Sequence, residues 1–157
     1  MKIFISHKRE DQVTAGLIAK RLRERHRVDS YLDVFDPHSS KAGDDLAEYI
    51  RARMEACTEL MAVVSEKTKD SWWVPWEIGV ATEKDYAIST YAAGNCRVPI
   101  YLQKWPYLKS YDELDTYVRV ASRVQRETLP DRYSKAASVR RSYAQRFHEG
   151  LKTALGQ

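Results

Sequence analysis

The chain has 157 residues, with 26 Lys and Arg against 22 Asp and Glu, a formal net charge of +4, 43% hydrophobic residues, 6 Gly and 5 Pro. That composition excludes a disordered or fibrous chain, and the length suits one domain over residues 1–157 with its own hydrophobic core. No apolar run nears the roughly 20 residues of a membrane span, and residues 1–6 lack a signal peptide's long apolar core, so the expectation is a cytoplasmic protein without membrane attachment.

Residues 2–6 form a short apolar run that reads as a buried first strand, and its exit carries Ser6, His7, Lys8 and Arg9. Asp11 can cap a helix whose apolar positions Val13, Leu17, Ile18 and Leu22 are expected on one face. Residues 31–34 suggest a second strand. From 35 to 43 the composition turns to Asp, Pro, His, Ser, Lys and Gly, the mark of a surface loop at a strand end, where function often resides. Asp44 is placed to start a helix with Leu46, Tyr49, Ile50 and Met54 as its core face. Residues 60–64 form an apolar run without alternation, which suits a strand buried on both faces.

Three of the four tryptophans crowd into the next stretch, Ser71-Trp72-Trp73-Val74-Pro75-Trp76-Glu77. Pro75 is best tolerated in the first turn of a helix, so Glu77 falls within its first two turns, where the helix dipole favours a negative charge. Trp73 and Glu77, four apart, share a face, and Trp72 and Trp76 form a second such pair. Two readings of this stretch stand side by side. An indole wall beside a carboxylate suits a ligand that is cationic or becomes so in a transition state; alternatively the indoles are core and Glu77 is an exposed acid at a helix start.

Residues 97–102 read as a fourth strand with Trp105 in its exit loop. Leu114, Tyr117, Val118 and Ala121 mark a short helix, and Val139, Tyr143, Phe147 and Leu151 a longer terminal one. Cys57 and Cys96 read as thiols rather than a disulfide, and His7, His26, His38 and His148 are too scattered for a metal site. Strands alternating with helices imply a parallel sheet covered on both faces, with ligands beyond the carboxyl ends of its strands. There the 6–9 segment, the 33–43 loop and the approach to Glu77 converge.

Three segments in order, Ile3-Phe4-Ile5-Ser6-His7, Leu32-Asp33-Val34 with a loop ending in Ala42-Gly43, and Trp73-Val74-x-x-Glu77, together resemble a Toll/interleukin-1 receptor (TIR) domain over nearly the whole chain. The resemblance implies a flavodoxin-like α/β fold, a five-stranded parallel sheet with helices on both faces. In many bacterial, plant and axonal members the glutamate of the third segment cleaves NAD+, which makes Glu77 the expected catalytic residue. Expected around the substrate are Ser6, His7, Lys8, Arg9, Asp33, Lys41, Trp73 and Trp76. The 35–43 segment corresponds to the loop that gates the site and mediates contacts between TIR domains. Two departures stand out: His7 occupies a position where many relatives carry Tyr or another aromatic, and Lys41 stands near the usual place of an acid.

The implied chemistry suits one carboxylate. Nicotinamide leaves a pyridinium as a neutral base, so no general acid, cofactor or metal is needed, and Glu77 would stabilise the oxocarbenium-like charge while Trp73 and Trp76 cover the nicotinamide ribose. Stand-alone bacterial members of this size resemble the signal-producing subunits of antiphage systems such as Thoeris. This implies a separate effector or sensor protein and a cyclic or linear ADP-ribose product. The competing class is a non-catalytic TIR–TIR adaptor module. Nucleic-acid binding is not expected: the last forty residues hold nine Lys or Arg against three acids, but they lie on helices whose other faces are apolar and no groove-reading motif accompanies them.

Overall fold

A computed structural model describes residues 1–34, 44–71, 73–128 and 136–157. Five strands, β1 (Lys2–His7), β2 (Asp29–Val34), β3 (Glu59–Val64), β4 (Ala87–Ala92) and β5 (Tyr107–Leu108), form one sheet in the order β2-β1-β3-β4-β5. All four pairings are parallel. The helices are α1 (Gln12–His26), α2 (Asp44–Glu55), α3 (Trp73–Glu83), α4 (Glu113–Thr128) and α5 (Ala136–Leu155). This is the flavodoxin-like order, whose topological switch point lies between β1 and β3.

The pleat sorts side chains between two cores. Ile3 and Ile5 of β1, Met61 and Val63 of β3, and Ala87 and Tyr91 of β4 pack beneath α1, α4 and α5. Phe4, then Leu60, Ala62 and Val64, then Ile88 and Ala92 pack against α2 and α3. Every residue of β3 and β4 is buried, as strands covered on both faces require.

Three expectations are corrected. Residues 97–102 are not a strand: Ile100–Leu102 is a single 3₁₀ turn, and the fourth strand is Ala87–Ala92, where Ser89 and Thr90 interrupt the apolar run in sequence yet are fully buried. On α1 the buried positions are Ala15, Ile18 and Leu22, while Val13 and Leu17 are 77% and 48% exposed, so the helix is rotated from the expected face. Asp11 precedes α1 but makes no side-chain cap; its Oδ2 accepts from the Ser65 and Thr68 hydroxyls at 3.0 and 2.9 Å. It thereby ties the turn after β1 to the turn after β3. Among the described residues no helix is long and apolar enough to cross a membrane.

Candidate active site

The site starts at the entry to α3. The Val74 amide donates to the Ser71 hydroxyl at 3.5 Å, and Pro75, the third residue of the helix, needs no intrahelical partner for its missing N–H. The first turn therefore forms without strain and points residues 73 and 77 back toward the sheet. Glu77 is 1% exposed, which rules out the reading of an exposed helix-start acid.

Its carboxylate is held by both oxygens. The Trp73 indole N–H donates to Oε1 at 3.1 Å, as the four-residue spacing predicts. The Ser6 hydroxyl donates to Oε2. Ser6 lies near the carboxyl end of β1, in register with Asp33 of β2 and Ala62 of β3, so the contact sits at the switch point of the sheet. Two donors fix the plane of the carboxyl group.

Trp73 stacks on Trp76 with ring centroids 4.8 Å apart and planes at 24°. Trp73 is 7% exposed and Trp76 half-buried, so the pair is a graded wall: the inner ring orients Glu77 and the outer ring covers it toward solvent. Trp72, expected as Trp76's partner, lies outside the described residues. Trp105 belongs to the same buried cluster as Trp73 but opens onto a different cleft. It lines that cleft with Thr82, Tyr86, Ile88 and His148, and the Lys104 ammonium rests 4.0 Å from its ring centroid. The reason is the missing 97–102 strand, whose exit loop was to carry Trp105 to the carboxyl edge.

His7 is 1% exposed, and its Nδ1 lies 3.1 Å from the Ile5 carbonyl. A carbonyl only accepts, so Nδ1 carries the proton and Nε2 keeps its lone pair, for which the described residues offer no partner. Burial pushes the imidazole pKa down and holds the ring neutral. Lys8 and Arg9 follow at the rim: the Lys8 ammonium donates to the Lys67 carbonyl at 3.1 Å and pairs with Glu10 at 3.3 Å, and Arg9 is exposed. Asp33 is placed by its backbone at the end of β2, while Lys41 and the whole 35–43 loop lie outside the described residues.

Ser6, Trp73, Trp76 and Glu77 thus gather on the α2–α3 side of the sheet, near the carboxyl end of β1, whereas the alternation of the strand turns His7 to the other face, that of Ile3 and Ile5. Sequence reasoning missed the Asp11, Ser65 and Thr68 hydroxyl network. The available signal was Ser65 followed by Thr68, whose hydroxyl accepts from the Ser65 amide at 2.8 Å in a reciprocal cap.

An open parallel sheet of this order, with a buried and doubly held carboxyl group at its switch point, defines the class as a flavodoxin-like α/β protein. Within that class the sequence matches the TIR domain family over residues 3–129, and the chain belongs to that family. It is also similar, at 40% identity over 40 residues, to a Bacillus cereus (strain MSX-D12) protein named "Probable 3' cyclic ADP-D-ribose synthase ThsB'". That stretch is 26% of this chain and spans about one fifth, 21%, of the relative's length. No solved structure matches.

Proposed function

We propose that this TIR domain cleaves NAD+, with Glu77 as the catalytic carboxylate and nicotinamide as the leaving group. The observation that carries this reading is the burial of Glu77 with Ser6 on one oxygen and Trp73 on the other. A carboxylate oriented in advance and buried from water stabilises positive charge developing on the ribose carbon far better than an exposed one, and costs no reorganisation during the reaction. When the bond between that carbon and the pyridinium nitrogen breaks, its electron pair goes to the nitrogen and nicotinamide departs neutral. NAD+ is then the substrate, and no further cofactor takes part.

The ribosyl cation is captured either by water, giving ADP-ribose and a proton, or by a nucleophile of the same molecule, giving a cyclic product and a proton. The stacked Trp73–Trp76 wall favours exclusion of water, and the name of the B. cereus relative speaks of a cyclic ADP-ribose. We therefore favour the cyclic product as a signal for a separate effector in antiphage defence. A binding-only adaptor would have no need to bury an acid on two donors.

The test is incubation with NAD+ followed by chromatography and mass analysis. Expected are free nicotinamide and a product lighter than ADP-ribose by one water, with Glu77→Gln reducing turnover by about 100-fold or more at unchanged circular dichroism. Retention of most of the wild-type rate by Glu77→Gln would remove the assignment. Linear ADP-ribose as the sole product would leave NAD+ cleavage standing and remove the signalling role.

A further inference from the structure

We propose that the groove between α4 and α5, on the opposite face of the sheet from α3, is a second ligand site that takes a nucleoside polyphosphate. The groove has a volume of ≈ 700 Å³, within the range of about 300–1,000 Å³ of small-molecule clefts. Four guanidiniums line it: Arg119, Arg123 and Arg126 from α4 and Arg146 from α5. The three on α4 stand at i, i+4 and i+7, a single stripe about 10 Å long at 1.5 Å per residue. Arg146 answers them from across the groove.

These arginines differ from several basic residues elsewhere on the surface. Arg21 is engaged by Asp112 and Asp115, Arg141 by Asp85, and Lys84 by Glu55. In the groove, by contrast, Arg119 and Arg126 reach only Thr116 Oγ1 and the Ser122 carbonyl of their own helix, and among the described residues neither they nor Arg146 pair with a carboxylate. Arg123 has a loose 3.8 Å contact with Glu127, with both side chains more than half exposed. Surfaces normally intersperse charges of opposite sign, since clustered like charges repel. Four gathered guanidinium forks make a site for phosphate oxygens, which they can bind in pairs.

The floor of the groove distinguishes a nucleotide from bare phosphate. Val120, Gly150 and Ala154 are apolar, and a Cβ at Gly150 would stand 3.1 Å from Arg123 Nη2 and 3.3 Å from Val120 Cγ1. Glycine there lets Arg123 Nη2 approach the α5 backbone closely. A base can then stack on the outer side of the Arg123 guanidinium, whose inner side rests against Gly150, while the phosphates meet the remaining arginines. The groove is half open to solvent, and its short basic stripe, about 10 Å long beside a second helix, suits such a compact ligand better than duplex DNA, which needs an extended face. Glu149 is the acid lining the groove and opposes the anion.

Isothermal titration of the purified chain with ATP, tripolyphosphate, a 20-base-pair duplex and a poly-glutamate peptide tests the proposal. ATP should bind one to one with a Kd in the micromolar range that weakens steeply with salt, and tripolyphosphate should bind several-fold more weakly. The Arg123→Gln/Arg146→Gln double variant should lose at least 10-fold in affinity, while Glu149→Gln should gain about 2- to 3-fold, both with unchanged circular dichroism. Four results would each overturn the assignment: no ATP binding, undiminished binding by the double variant, tripolyphosphate binding equal to ATP, or tighter binding of the duplex or the peptide.

Discussion

The Trp73 indole does two jobs with two parts of one side chain. Its N–H holds Glu77 Oε1 at 3.1 Å and its face stacks on Trp76. Trp73→Phe separates them, because it keeps a ring at the interface and deletes the donor. A hydrogen bond to a charged group contributes about 1.5–3 kcal/mol, so kcat for NAD+ cleavage should fall roughly 10- to 100-fold. Ground-state binding should barely change, leaving KM within about 2-fold. Full kcat in Trp73→Phe, measured by nicotinamide release, would show that the indole N–H plays no part in orienting the carboxylate. The same residue scale explains why the site was partly legible: Trp73 and Glu77 lie one helical turn apart, and local spacing announces such a contact.

At the scale of elements, the short β5 leaves β4 with a problem that α5 solves. β5 pairs only with Thr90 and Tyr91, so the amide of Ile88 lies beyond its reach. His148 Nε2 accepts from that amide at 2.8 Å, a role only the neutral imidazole can fill. Burial, with Lys152 and Lys104 adding to it, pushes the His148 pKa down to about 4 from an ordinary value near 6.5. The sign follows from linkage: the unfolded chain binds this proton first, so the contribution is complete above about pH 6.5 and is lost as pH falls toward 4. Buried Glu59, which accepts from the Tyr117 and Tyr143 hydroxyls, has its pKa raised by burial and acts with the opposite sign, losing stability as pH rises. Comparing urea midpoints of wild type and His148→Gln at pH 7 and pH 4.5 isolates the histidine. The wild-type advantage should be largest at pH 7 and shrink at pH 4.5; an advantage constant across that interval would remove the account.

At the scale of the molecule, the register fixes where β2 ends. Val34, the last residue of β2, pairs with His7, so the chain leaves the sheet at the same edge where Ser6 meets Glu77. We propose that the segment of Asp, Pro, His, Ser, Lys and Gly that follows in sequence mediates contact with a second copy of the chain. Self-association through it would complete the crevice in trans, and the specific rate of NAD+ cleavage should then rise more than linearly with protein concentration. Pro37→Ala/His38→Ala should flatten that rise without altering the melting temperature. A monomer with full, concentration-independent activity would end the idea.

The sequence by itself determined the elements whose signal is local. Apolar runs marked β1 and β3, helical spacing marked α2, α4 and α5, and Pro75 with the Trp73–Glu77 interval marked the start of α3 and the carboxylate the site is built on. Tertiary structure decided whatever joins distant positions. Ser6 and Glu77 are 71 residues apart, Glu59 draws hydroxyls from residues 58 and 84 positions away, and Asp11 spans 54 residues to Ser65. It also decided β4, since Ser89 and Thr90 look like loop residues until the sheet buries them between neighbouring strands. The division has one physical cause. Local contacts follow from the geometry of a helix or strand and leave a period in the sequence, whereas contacts made by sheet order depend on which strands become neighbours, and no period records that.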